Sequence, residues 1–197
     1  AEMLLERSGI PFVAPLPPYG RAGTRHWLEE IAGALPAPRE KEVQEELSRV
    51  EKEDFLRLNE IKSMWGELWF DEALVRAPSS MAWGLARALR TEWADVRRLA
   101  VAAEAEADAA GIADEVFSET RTAELAQFLA SMKNGLLLAS SNEAAQVAPQ
   151  HAQFLPVASP VLDRIQLTDA PFMGLRGSRF IEEQLWNGHI LRRQWML

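Results

Sequence analysis

GLLLASSNEAAQVAPQHAQFLPVA, residues 135–158, decides the fold class. Leu136, Leu137 and Leu138 follow one another with no polar residue between them, so the segment 135–141 is apolar on both faces. A strand of that kind is buried on both sides, as in a parallel sheet covered by helices. NEAAQVAPQHA (142–152) reads as a helix cut by Pro149, and FLPVA (154–158) as the next strand. Strand, crossover and strand form the repeating unit of an α/β sheet.

The same alternation continues on both sides. Residues 73–77 read as a strand, 78–93 as a helix opened by Pro78 and Ser79, and 96–103 as a second strand. Helical 103–111 follows, then a short edge at Glu115, Val116 and Phe117 and a helix over 122–133. Residues 158–174 are irregular, with Pro160 and Pro171, before a last helix from Arg179 to about Trp186. Upstream, 39–65 contains neither Gly nor Pro. Its apolar residues recur every three or four positions, so a long helix is expected. Pairs such as Lys41/Glu45 and Glu53/Arg57, four apart, each add about 0.2 to 0.5 kcal/mol. Its charged side reads as a solvated face, with a coiled-coil partner surface as the alternative.

RHWLEEIAGAL (25–35) is a further amphipathic helix, closed by Gly33, Pro36 and Pro38. Residues 1–8 read as the end of a helix, and 10–16 as a strand end or extended loop. The expected architecture is a doubly wound, Rossmann-like parallel α/β domain over 66–197. Residues 1–65 precede it as a strand-helix remnant of a similar neighbouring domain plus a connecting helix. The chain opens in mid-pattern without an initiator Met, so a segment of something longer is expected.

Of 197 residues, 48% are hydrophobic and 25% charged, the balance of an ordinary globular chain. There is no Cys, which excludes a disulfide framework, a thiolate nucleophile and any iron-sulfur cluster bound by this chain's own thiolates. The net charge of -8 works against a primarily electrostatic grip on nucleic acid. No apolar run approaches the length of a membrane span and no signal-peptide pattern opens the chain, so a cytoplasmic protein is expected.

Gly20-x-x-Gly23-Thr24-Arg25 and Gly174-x-x-Gly177-Ser178-Arg179 repeat one device, each followed by a Glu pair and a further Gly. It serves either as a capped turn that packs its helix closely or as an anion contact through Gly174, Arg176, Gly177 and Ser178. Neither a GxxxxGK[ST] nor a GxGxxG motif occurs. Ser140-Ser141-Asn142-Glu143 stands where a buried strand gives way to a helix, the rim where open α/β sheets bind ligands, and Asn142 or Ser141 can equally cap that helix. Asp163 and Arg164 fall on the same rim, either bracing a loop or meeting a ligand or subunit.

His26, His151 and His189 show no metal-site spacing. No catalytic residues emerge. The seven Trp read as core and interface anchors. Trp186, Ile190, Leu191, Trp195, Met196 and Leu197, interleaved with Arg192 and Arg193, read as a subunit contact or as packing back onto the sheet.

RSGIPFVAPLPPYGRAGTRHWLEEIA, REKEVQEELSRVEKED, ALVRAPSSMAWGLARALRTEW, LLLASSNEAAQVAP, LPVASPVLDR and FMGLRGSRFIEEQLWN occur in this order. The series resembles the carboxyl-terminal part of the nitrogenase component 1 family. The resemblance implies a subunit of a two-component oxidoreductase. In it an ATP-dependent iron protein passes electrons to paired alpha-type and beta-type subunits carrying iron-sulfur and metal clusters. Its departures are informative. The family's cysteines are absent, and between Asp163 and Gly174 stand Gln166, Thr168 and Asp169 but no His. PVLDR resembles the beta-type subunits and the beta-like scaffold for iron-molybdenum cofactor biosynthesis. Alternatives are a dark-operative protochlorophyllide or chlorophyllide reductase subunit, or a stand-alone small-anion-binding domain. The chain by itself is expected to hold no cofactor.

Overall fold

The computed structural model describes residues 13, 15–35, 39–104, 111–165 and 171–194. The expected elements over 1–8 and most of 103–111, and the tail residues Trp195, Met196 and Leu197, lie outside the described residues. The elements in order are α1 (Gly20–Ala34), α2 (Glu40–Trp65), β1 (Trp69–Arg76), α3 (Ser79–Ala88), β2 (Asp95–Ala102) and β3 (Glu115–Phe117). Then come α4 (Thr122–Ser131), β4 (Gly135–Ala139), α5 (Ser141–Ala144), β5 (Ala152–Pro156) and α6 (Gly174–Gln194). A π-helical turn, Leu89–Trp93, continues α3.

The five strands form one sheet in the order β3-β2-β1-β4-β5, with every pairing parallel. This is the α/β, doubly wound arrangement expected from 135–158. Alternation along each strand splits the core in two. Ala73, Val75, Leu99, Val101, Leu136 and Leu138 face α3 and α6, where they meet Trp83, Leu85, Ile181, Leu185 and Trp186. Leu74, Ala100, Ala102 and Leu137 face α4, against Leu125, Phe128, Leu129 and Met132. Helices on both sides leave no wet face, hence the unbroken leucines of β4, which is buried throughout.

Several boundaries differ from expectation. β1 starts at Trp69 rather than Ala73, because its acidic half is neutralised across the sheet, Glu72 taking an ion pair from Arg98 at 3.3 Å. The helix expected over 142–152 shrinks to four residues followed by turns. β5 runs Ala152–Pro156 instead of 154–158. Its polar Gln153 is accommodated because the side-chain Nε2 donates to the α6 carbonyls of Gln184 (3.2 Å) and Leu185 (3.0 Å).

The last helix is far longer than 179–186. Gly188 stands inside it, where a Cβ would come 2.3 Å from Gln153 Nε2. That glycine is a close-packing residue and not a helix terminator. Among the tail residues, Trp186 is buried in the core while Leu191 is 55% exposed.

α1 and α2 are tied to the sheet domain from outside. Tyr19, just ahead of α1, is buried against α3, where a Cβ on Gly84 would meet its ring at 2.6 Å. Glu92 of the π turn caps α1 from across the fold, accepting from Arg21 N (2.6 Å) and Ala22 N (2.8 Å). The expected Thr24 cap is therefore not made. Thr24 Oγ1 lies inside the helix and donates to Gly20 O at 2.6 Å.

Candidate functional site

The strand order reverses between β1 and β4, since β2 and β3 lie on one side of β1 and β4 and β5 on the other. Crossovers diverge there, leaving a crevice at the carboxyl ends of the strands, the usual ligand position of such sheets. A cleft of about 460 Å³ occupies this place. Arg76 ends β1 at its wall, Ala102 and Glu104 follow from β2, Ser118 from β3, and Ser140, Asn142 and Glu143 from β4 and α5.

A reciprocal cap shapes the β4 side. Ser140 N donates to Glu143 Oε2 at 3.0 Å, Ser140 Oγ donates to the same oxygen at 2.5 Å, and Asn142 N donates to Ser140 Oγ at 3.2 Å. The helix is therefore capped by Ser140 in an S-x-x-E capping box, and not by Asn142 or Ser141. Glu143 is buried and its other oxygen, Oε1, takes an ion pair from Arg76 Nη1 at 3.0 Å. Arg76 and Glu143 thus stand at the switch point although neither was a sequence candidate. A charged residue closing the apolar run of β1 was the available signal for Arg76. Glu143→Ala removes the cap acceptor and the Arg76 partner together, and about 1 to 2 kcal/mol of stability should go with them in urea unfolding.

Ser141 pins the next rim segment. Its N donates to Pro160 O at 2.9 Å and its Oγ accepts from Leu162 N at 2.7 Å, holding the Pro160–Leu162 turn over β4. Asp163 and Arg164 follow, both exposed. Arg164 Nη2 donates to Gln184 Oε1, so the loop is braced to α6.

The sequence candidates therefore divide among separate places. Asn142 is exposed and lines the switch-point cleft, but Asp163 lines another groove beside β5. Gly174, Arg176, Gly177 and Ser178 lie at the start of α6. Gly174 has φ +74° and its N donates to Pro18 O at 2.8 Å. A Cβ on Gly177 would lie 2.4 Å from the carbonyl carbon of Phe172. Ser178 is fully buried and its Oγ accepts from Trp93 Nε1 at 2.9 Å. Arg176 is exposed. In both repeats the device packs a helix against its neighbours. Ser178→Ala strands the buried indole N–H, an expected loss of about 1 to 2 kcal/mol seen as a lower urea midpoint.

A second polar centre was invisible in the sequence. Arg21 reaches from α1 to Asp54 on α2 (Nε–Oδ2, 3.1 Å) and to Glu182 on α6, where Nη1 donates to Oε1 at 2.8 Å and Nη2 to Oε2. Arg179 Nε donates to the other Asp54 oxygen at 2.6 Å. Burial works against the Arg21 guanidinium, but Glu182 and Asp54 outweigh it and hold its pKa above the ordinary range. Burial pushes the Glu182 carboxyl up, more than Arg21 draws it down. The cluster joins three helices, so we assign it to architecture. No three or more His, Asp or Glu among the described residues gather as a metal site.

A family model described as "Nitrogenase component 1 type Oxidoreductase" matches residues 1–189. A comparison with curated proteins found no match. Among solved structures, the one described as "Nitrogenase Cp1 at pH 6.5" superposes with a TM-score of 0.74 at 14% identity, a likeness of fold. It covers 98% of this chain, which spans 43% of the length of that chain.

Proposed function

The chain belongs to the nitrogenase component 1 type oxidoreductase family, and from that premise we propose that it forms the carboxyl-terminal part of a beta-like subunit. In this reading residues 1–65 close the preceding domain and 66–197 are the last one. The subunit is cytoplasmic, pairs with an alpha-type partner, and serves as the scaffold on which the iron-molybdenum cofactor of nitrogen fixation is built. An ATP-dependent iron protein supplies reducing electrons to the complex.

The observation that carries this reading is the donor chemistry of the rim. Around the switch point stand Arg76, Ser140, Asn142, Glu143 and Glu104, with the PVLDR turn pinned beside them by Ser141. These are oxygen donors and a guanidinium. Iron-sulfur clusters take thiolates, and the chain has none. The residues present do not fit a resident cluster, and no redox step is assigned to them. They fit a wall that offers hydrogen bonds to a group held by thiolates elsewhere, with the Arg76 guanidinium paired with Glu143, and with Glu104 and Glu119 lining the same cleft. Of the other candidates, Arg164 braces the loop to α6 and Asp163 lines the groove beside β5, while Gly174, Gly177 and Ser178 set the start of α6, where Arg176 is exposed.

Deleting the gene in its native host tests the proposal. Dinitrogen reduction should be lost, and adding isolated iron-molybdenum cofactor to the extract should restore it. A deletion strain that fixes nitrogen normally overturns the reading. One that instead fails to form chlorophyll in the dark replaces it with the tetrapyrrole reductase.

A further inference from the structure

β5 closes the sheet on one side, and among the described residues no strand pairs with its outer edge. The ladder to β4 shows which groups face outward. Gly135 N donates to His151 O at 2.7 Å, and Val157 N donates to Ala139 O at 3.0 Å. Odd-numbered residues therefore point at β4, and the backbone groups of Ala152, Phe154 and Pro156 point away from it. Pro156 contributes only a carbonyl.

A groove of about 660 Å³ runs along this edge, walled by Phe154, Ala152 and Val147 on one side and by Gly188 and Leu191 of α6 on the other. Its two ends carry opposite charges. Arg192 lies toward the start of β5, where Nη1 donates to Gly135 O (3.4 Å) and Nη2 to Gln150 O (3.3 Å). Among the described residues it has no acidic partner, and burial holds its pKa below the ordinary range. Asp163 lines the groove at the other end, beyond the carboxyl end of β5, exposed and with no ion pair among the described residues.

Exposed apolar side chains flank both ends. Leu191 is 55% exposed beside Arg192, and Leu162 and Ile165 are 78% and 85% exposed beside Asp163.

We infer that the β5 edge, with Asp163 and Arg192 at its ends, is the surface through which two copies of this chain pair about a two-fold axis. An antiparallel β5–β5 contact places Phe154 near the axis and sets each Arg192 against the other copy's Asp163. It also sets each Leu191 against the other copy's Leu162 and Ile165. Two-fold interfaces require this self-complementarity, and the groove has it in charge and in apolar surface. Pro156 ends the backbone pairing early, so specificity falls to the two charge pairs.

Sedimentation velocity of the 197-residue chain tests the inference. The wild type should dimerise and weaken with salt. Asp163→Arg and Arg192→Asp should each raise the dissociation constant at least about thirtyfold, because two like-charge contacts replace two attractive ones. An equimolar mixture of the two variants should dimerise again, since every cation then faces an acid. That rescue separates pairing from misfolding of the Arg192 variant. A monomeric wild type, reversal variants that dimerise like it, or a mixture that stays monomeric overturns the inference.

Discussion

Arg21→Ala lowers the unfolding free energy by about 3 to 5 kcal/mol, the expected cost of leaving buried carboxylates without their cation. The Asp54 and Glu182 side chains are only 2% and 6% exposed. Water cannot replace the guanidinium there, so both acids lose charge compensation together. Arg179 stays with Asp54, which leaves Glu182 as the more exposed loss. Arg21→Lys keeps the charge but not the two-pronged contact, and should fall between the wild type and the alanine variant.

The defect depends on pH. A carboxyl with a raised folded-state pKa binds its proton more tightly in the fold than in the unfolded chain, so stability falls as the pH rises through that value. Glu182 is already raised by burial, with Arg21 pulling against that rise. Removing Arg21 raises it further. The gap between variant and wild type should therefore be widest at neutral pH and narrow as the pH falls through the raised Glu182 range, where the carboxyl takes up its proton. Urea unfolding at a series of pH values checks both size and slope. A gap that widens on acidification would contradict the assignment.

Gly177→Ala should cost about 2 to 3 kcal/mol, comparable to overpacking a tight core. The added methyl would sit 2.4 Å from the carbonyl carbon of Phe172 and 2.6 Å from its oxygen. Backbone cannot swing aside as a side chain can, so either α6 shifts or the 172–174 turn opens. Gly174→Ala makes a useful comparison. Nothing lies within 4 Å of its Cβ position, and only the φ of +74° resists, so about 1 kcal/mol is expected. Equal losses at both positions would show that backbone conformation, and not close packing, explains the repeated glycines.

What the sequence revealed follows the range of the interactions. β4 was legible because burial on two faces writes itself as consecutive leucines, and α2 because its period is local. The Arg21–Asp54–Glu182 centre joins residues 33 and 161 positions apart and leaves no local pattern. The lengths of α5 and α6 were misread for a related reason. Gly188 resembles a helix stop until Gln153 is seen beneath it, and the capping box at Ser140 opens a helix that ends after one turn. At the rim, the strand order of the sheet defines the switch point, and Asn142 lines the cleft there. Asp163 is expected on the same rim, but the chain carries it to the groove beside β5.

In the proposed reading this chain builds a wall of the site and supplies no ligand to a cluster. Anaerobic reconstitution of the purified 197-residue chain with ferrous iron and sulfide tests it most directly, followed by desalting, iron and sulfide quantification and electron paramagnetic resonance. The account predicts iron and sulfide at the level of a protein-free control and no cluster signal, because no thiolate is present to retain them. Stoichiometric iron and sulfide with a cluster resonance that survives desalting would contradict it.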